Sequence, residues 1–163
     1  MTEQNTHMPS AARANAFPWP PVLFIGVIAV AMLMTDMLPL PWPGQDDAPA
    51  HWVGLGFGIA GVLLIMFAIR ALRAHDTTVR PHQTTTVLVT SGPYARFRNP
   101  IYLGQVLLLL PAAEVTKSVW FVVAALAFGV LVTALQIVPE ERHLESQFGD
   151  AYLDYKVRTR RWI

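Results

Sequence analysis

Long apolar stretches alternate with polar segments along the chain, and this pattern predicts four membrane-spanning helices. A helix needs about 20 apolar residues to cross the hydrocarbon core of a bilayer. Three stretches are long enough, at residues 20–38, 52–72 and 118–138. A fourth stretch, 101–113, is short, and we expect it to lengthen by covering 100–117, because proline is favoured in the first turn of a helix.

Two sequence features indicate how these helices pack. The third and fourth spans are close in sequence, which predicts a helical hairpin that turns at residues 114–117. Pro111 is expected to kink the third helix or to end its regular part. A re-entrant segment is the alternative for this span. In the second span, Gly54, Gly58 and Gly61 fall on one helix face, an arrangement that lets helix backbones approach closely.

Composition supports a membrane protein of one domain. The 163 residues are 53% hydrophobic and only 14% charged, against about 25% charged residues in soluble domains. A net charge of +1 gives no indication of a nucleic-acid partner, and the absence of cysteine excludes disulfides, thiolate metal sites and a cysteine nucleophile. The polar residues 1–18 are predicted to form a flexible tail rather than a signal peptide. The expected fold class is therefore an all-α integral membrane protein.

The distribution of positive charge predicts the orientation of the helices. Of twelve lysines and arginines, only Lys117 lies in the two loops on one side, and the other eleven lie on the opposite side. Loops rich in lysine and arginine stay in the cytoplasm. We therefore expect both termini and the connecting loop 73–100 to be cytoplasmic.

The two predicted cytoplasmic segments contain local structural signals. The loop includes TTTVLVT, which favours a β conformation, and SGPY, which is typical of a turn. The tail is expected to form interfacial helices, with Gly149 closing the first and Asp150 capping the second. An apolar stripe at helical spacing indicates that the tail lies on the membrane surface or caps the helix bundle. The stripe consists of Leu144, Phe148, Tyr152 and Tyr155.

Two polar groups border the predicted hairpin and form a candidate site. Arg98 and Asn99, with Tyr102, precede the third span, and Glu140 and Glu141 follow the fourth. The hairpin would bring the two groups together at one mouth of the bundle. Arginine binds carboxylates, glutamate binds an ammonium or a ribose diol, and tyrosine binds a base or a cation. A simpler interpretation is that the arginines are topology anchors, the glutamates solvate a helix end and the tyrosine belongs to an aromatic belt.

The stretch LVTSGPYARFRNPIYLGQ, followed by PEE and FGDAYLDYKVRTRRW, resembles the isoprenylcysteine carboxyl methyltransferases and the related phospholipid methyltransferases. These are integral membrane enzymes that use S-adenosyl-L-methionine. The resemblance covers about residues 76–163, the cofactor-binding half, whereas the first two spans match only in hydropathy.

The resemblance implies a cofactor pocket with Arg98, Glu140 and Glu141 as catalytic residues. Many relatives carry histidine where this chain has Asn99, and asparagine does not titrate near neutral pH. A proton acceptor, where the reaction needs one, would therefore be Glu140 or Glu141. The implied cofactor-binding residues are Leu88, Val89, Gly92, Pro93, Tyr94, Arg98, Asn99, Tyr102, Glu140 and Glu141.

The implied function is methyl transfer to a lipophilic acceptor that enters from the bilayer. The acceptor is expected to be an isoprenylcysteine carboxylate, with an ethanolamine headgroup or a small thiol as alternatives. A non-catalytic membrane scaffold and a membrane reductase are competing functions. The basic tail residues Arg158, Arg160 and Arg161 are expected to contact lipid headgroups. The histidines fit no metal motif, and the oligomeric state is left open.

Overall fold

The computed structural model describes residues 19–40, 48–75 and 87–163. The predicted flexible tail and part of the connecting loop lie outside these residues. A 3₁₀ turn at Gly92–Ala95 precedes the hairpin, and a π-helical turn at Thr133–Ile137 joins two of the helices. The α-helices are α1 (Trp19–Met37), α2 (Ala48–Ala74), α3 (Pro100–Thr116), α4 (Trp120–Val132), α5 (Val138–Phe148) and α6 (Asp150–Arg158).

Three helical segments of the described chain are long and apolar enough to span a membrane: α1, α2 and the continuous helix Trp120–Phe148. Three of the four expected spans are thus confirmed. Helix α3 has 17 residues, about 26 Å at 1.5 Å per residue, which falls short of a core of about 30 Å. It begins at Pro100 as expected, and Pro111 lies inside it rather than ending it.

Helices α2 and α3 approach closely through the predicted glycine face. A Cβ atom added to Gly61 would lie 2.8 Å from the carbonyl oxygen of Gly104. Atoms of Pro111 lie against Gly54 and Gly58, where added Cβ atoms would be 3.4 Å or more from their nearest neighbours. The absence of side chains at these positions lets the two backbones come into contact.

Helix α4 lies between α1 and α3, so the four helices follow the order α1, α4, α3, α2. The α1–α4 contact includes the edge-to-face pair Phe24–Phe128, with ring centroids 5.4 Å apart. At the end of α1, the Thr35 and Ser118 hydroxyls are 2.7 Å apart. The Trp120 indole also donates to the carbonyl of Leu38 at 2.7 Å. The hairpin turn is thereby fixed to the first span.

The helix that contains α4 extends beyond the predicted span and ends at Gly149, whose positive φ of 52° closes α5. Gly149 also occupies the N-cap position of α6, and Asp150 is the first residue of that helix. The prediction that Asp150 caps α6 is therefore wrong, because the glycine carbonyl already accepts from the amides of Tyr152 and Leu153. Tyr152 and Tyr155 are buried, so this part of the apolar stripe packs inside the protein.

The chain after α6 returns alongside residues 96–98. The Arg98 amide donates to the Arg160 carbonyl at 2.8 Å, and the Arg160 amide donates to the Arg96 carbonyl at 3.0 Å. These bonds form an isolated parallel β-bridge between Phe97 and Arg160. Of the β-prone stretch TTTVLVT, residues 87–90 are described, and they form no strand.

Candidate functional site

Arg98 and Glu141 form an ion pair at the mouth of the α3–α4 hairpin. Arg98 Nε lies 3.1 Å from Glu141 Oε1, and the two side chains are 10% and 8% exposed. Arg161 approaches the same carboxylate, with Nε 3.1 Å from Oε1 and Nη2 2.6 Å from Oε2. The hydrogen bonds that Arg161 donates to the Glu141 carboxylate raise the pKa of Arg161. Glu141 is thus neutralised by two guanidinium groups.

Arg98 also binds the C-terminal end of α6. Its Nη1 donates to the carbonyl of Lys156 at 2.9 Å and to the carbonyl of Thr159. The last carbonyls of a helix lack intrahelical partners, and a cation near them is favourable. Arg98 therefore joins three parts of the chain: the segment before α3, the start of α5 and the end of α6.

Two further contacts attach the tail to the segment before α3. The buried Asn99 side chain donates from Nδ2 to the Arg161 carbonyl at 3.2 Å. The Tyr155 hydroxyl donates to the Tyr94 carbonyl at 2.8 Å, and burial raises the pKa of Tyr155 to about 12. Asn99 and Tyr94, both predicted as cofactor residues, here contact the C-terminal tail.

Glu140 has different partners from its neighbour. The Tyr102 hydroxyl hydrogen-bonds to its carboxylate, and Gln136 Nε2 donates to Oε2 at 3.4 Å. No ion pair among the described residues involves Glu140. Its carboxylate is therefore held only by neutral donors, and a positive charge nearby would be stabilised by it.

An apolar groove of about 620 Å³ runs beside this polar cluster, between α3 and α4. Val138, two residues before Glu140, lines one part of it. Trp162, the neighbour of Arg161, lines another. The groove wall also includes Val106, Ala125, Leu126, Gly129 and Val130. A hydrophobic chain lying in this groove would be next to the carboxylates.

Comparison with protein families identifies the chain. The family model for phospholipid methyltransferases matches residues 49–151, which extend from α2 to α6 and include Arg98, Glu140 and Glu141. The chain belongs to the phospholipid methyltransferase family. This family membership indicates a membrane methyltransferase, in agreement with the three apolar helices.

Two curated proteins are similar to this family member. An uncharacterized protein of Haemophilus influenzae is 35% identical over 63 residues, which are 39% of this chain and all of that protein. The cobalt-zinc-cadmium resistance protein CzcN of Cupriavidus metallidurans is 40% identical over 73 residues, 44% of this chain. The match spans only 33% of CzcN.

The structure brings together part of the predicted set of site residues. Arg98 contacts Glu141, and Tyr102 contacts Glu140. Val89 is buried and Leu88 half-buried, while Gly92 and Pro93 lie in the 3₁₀ turn that packs on α2. Their role in covering a cofactor stays a prediction.

Sequence reasoning missed two polar contributors to the cluster. Arg161 was expected to contact lipid headgroups, but its guanidinium binds Glu141 instead, because the β-bridge at Arg160 turns the tail back onto the bundle. Gln136, which donates to Glu140, lies inside an apolar span. A polar side chain in such a span is itself a signal of a functional site.

Proposed function

We propose that this chain catalyses methyl transfer from S-adenosyl-L-methionine to a lipophilic acceptor at the cytoplasmic membrane face. The observation that carries the proposal is the meeting of two distant sequence motifs, with Arg98 paired to Glu141 and Glu140 left without a cation. Membership of the phospholipid methyltransferase family supports the reaction type.

The residues present fit a positively charged cofactor. Glu140 would hold an ammonium or hydroxyl group of the cofactor, because its carboxylate has neutral partners only. Tyr102 would contribute its ring, which attracts cations. Arg98 and Glu141 would act differently, since their charges neutralise each other: they would hold the tail and the α3 start in the geometry that the pocket needs.

When bound, S-adenosyl-L-methionine would supply a sulfonium methyl group, which the acceptor would take as the carbon–sulfur bond breaks and both of its electrons stay on sulfur. The protein would mainly align donor and acceptor, which is the largest contribution available when no covalent intermediate is needed. An amine or thiol acceptor also releases a proton. Glu140 has no cation to stabilise its charged form, so its carboxylate is the group that would take up that proton.

The charge distribution favours an amine acceptor over a carboxylate. Both arginines that contact Glu141 are engaged by it, and Arg98 also binds backbone carbonyls. A carboxylate acceptor would therefore meet Glu140 without a guanidinium to balance it. An ethanolamine headgroup presents an amine, and its acyl chain matches the apolar groove between α3 and α4. An isoprenylcysteine carboxylate and a small hydrophobic thiol are the alternatives.

Three experiments test the proposal. Calorimetry with S-adenosylhomocysteine on the detergent-solubilised protein should give micromolar binding, and an absence of binding would favour a non-catalytic scaffold. Competition by NADPH for the same site would favour a reductase. Membranes containing the protein are then incubated with methyl-labelled cofactor, and the labelled product is identified. Labelled phosphatidylethanolamine derivatives are expected, whereas a labelled carboxyl ester would select the isoprenylcysteine alternative.

A further inference from the structure

Gln136 is a buried polar side chain whose hydrogen bonding is only half complete. It is 3% exposed and lies in the π-helical turn Thr133–Ile137, between the apolar α4 and the polar α5. Its Nε2 donates to Glu140, but its Oε1 has no hydrogen-bond partner within the described parts of the chain. Buried carbonyl groups are nearly always paired, so this one requires an explanation.

The π-helical turn gives Gln136 its position. A π turn inserts an extra residue into an α-helix, and such turns occur frequently at functional sites. Gln136 and Glu140 are four residues apart, a spacing that places two side chains on the same helix face. The turn therefore directs an amide and a carboxylate toward the same side, where the Tyr102 hydroxyl approaches from α3.

A second buried acceptor is unpaired on α3, the helix that carries Tyr102. Gln105 Oε1 is buried and has no partner in the described structure. Gln105 lies three residues after Tyr102 on α3, so the two side chains occupy neighbouring positions on one helix face. The helix positions next to Tyr102 and Glu140 thus carry two unpaired amide oxygens, besides the Glu140 carboxylate itself. All three accept hydrogen bonds, and their natural complement is a positively charged group with several N–H donors.

We propose that Gln136 binds an amine of the bound ligand through Oε1 while its Nε2 positions the Glu140 carboxylate for the same amine. The proposal rests on the methyltransferase function proposed above and adds a residue outside its two sequence motifs. Two sources share this chemistry: the amino group of the cofactor and the amine of a lipid acceptor. In either case Gln136 and Glu140 bind the amine together, and Gln136 Oε1 gains a hydrogen-bond donor when the ligand binds.

Gln136→Met tests the proposal, because methionine matches glutamine in shape and lacks both amide groups. S-adenosylhomocysteine retains the amino group of the cofactor and is the calorimetric probe. We expect about 10-fold weaker binding by the variant. The melting temperature of the ligand-free protein is measured alongside, because the change removes both the unpaired acceptor and the donor to Glu140. Gln147→Met makes the same chemical change at an exposed position on α5 and should leave the binding of S-adenosylhomocysteine unchanged.

A second arm assigns the source of the amine. If S-adenosylhomocysteine binds the variant normally while KM for phosphatidylethanolamine in mixed micelles rises about 10-fold at constant kcat, the amine belongs to the acceptor and the proposal holds. Unchanged binding together with an unchanged KM overturns it, and a lower melting temperature in that case would mean that Gln136 has a purely structural role. Failure of the wild-type protein to bind S-adenosylhomocysteine would overturn the methyltransferase proposal together with this one.

Discussion

Glu140 and Glu141 are adjacent in sequence but lie in contrasting electrostatic surroundings. Glu141 accepts hydrogen bonds from Arg98 and Arg161 and is 8% exposed in its side chain. Glu140 accepts from the Tyr102 hydroxyl and the Gln136 amide, neither of which carries a charge. We refer to the first group, Arg98, Glu141 and Arg161, as the ion-pair cluster, and to the second, Tyr102, Gln136 and Glu140, as the neutral cluster.

The comparison shows how one pair of carboxylates can serve two purposes. A buried carboxylate with two guanidinium partners has its charge already balanced, so it is suited to holding chain segments together. A carboxylate with neutral partners keeps an unbalanced charge and is suited to binding a cation. Because neighbouring residues on a helix point about 100° apart, consecutive glutamates on α5 reach different partners. Substitutions in the ion-pair cluster should therefore change mainly stability, and substitutions in the neutral cluster should change mainly ligand binding.

The largest effect on stability is expected at the ion-pair cluster. Glu141→Gln leaves the guanidinium of Arg98 buried without a balancing charge, since that side chain is only 10% exposed. We expect the free energy of unfolding to fall by about 3 kcal/mol, measured by denaturation in detergent. The matched control is Glu145→Gln, which breaks the Lys156 ion pair at 3.2 Å between side chains that are 38% and 43% exposed. That change should cost about 0.5 kcal/mol or less; similar losses for the two variants would contradict the assignment.

The neutral cluster should show the opposite behaviour. Glu140→Gln keeps the shape of the side chain and removes a charge that no described cation balances. The free energy of unfolding is expected to stay at the wild-type value or to rise, because the removed charge has only neutral partners among the described residues. Binding of S-adenosylhomocysteine should weaken by about 10- to 100-fold, the equivalent of one charge-assisted hydrogen bond. A variant that binds normally, or one that loses stability instead, would remove the distinction between the two glutamates.

A third variant separates helix packing from charge. A Cβ atom at Gly104 would lie 2.5 Å from Ile65 Cγ1 and 2.8 Å from the Gly61 carbonyl oxygen. Gly104→Ala should therefore force α2 and α3 apart at a cost of about 1–3 kcal/mol in thermal denaturation. In contrast, Gly56→Ala on α2 meets no atom within 4 Å and should be neutral or slightly stabilising, because alanine favours helix. Equal effects at the two glycines would argue against the close α2–α3 contact.

Much of the scaffold was predictable from the sequence, because apolar length and small residues act locally. The three long helices, the start of α3 at Pro100 and the glycine face of α2 all follow from patterns within single segments. Of the two expectations for Pro111, the one that it ends the regular part of α3 is wrong, because α3 continues to Thr116, and a kink at Pro111 stays a prediction. Glycines of α2 lie against this proline, and such tertiary contacts help a helix to accommodate a lost backbone hydrogen bond.

The sequence predicted that the two motifs meet, but it did not predict which glutamate pairs with Arg98. The hairpin places Arg98 near both glutamates, so sequence alone left either one as its partner. The choice depends on the tail, whose β-bridge at Arg160 brings Arg161 to Glu141. Contacts between segments about 60 residues apart leave no local pattern, and the π-helical turn that carries Gln136 has no signature in this sequence.

The smallest expected effect concerns the tyrosine that attaches the tail to the 3₁₀ turn before α3. The Tyr155 hydroxyl donates to the Tyr94 carbonyl at 2.8 Å, and Tyr155→Phe should lower stability by about 1 kcal/mol at neutral pH. Burial raises the pKa of Tyr155 from 10.0 to about 12. Folding therefore favours the protonated form, and its contribution is complete below pH 10 and is lost as the pH rises through 12. The difference in unfolding free energy between wild type and Tyr155→Phe should accordingly shrink between pH 10 and 12. A difference that stays constant over this range would mean that the hydroxyl is not a buried donor. The tail would then be held by the β-bridge at Arg160, the Asn99 contact and the ion-pair cluster.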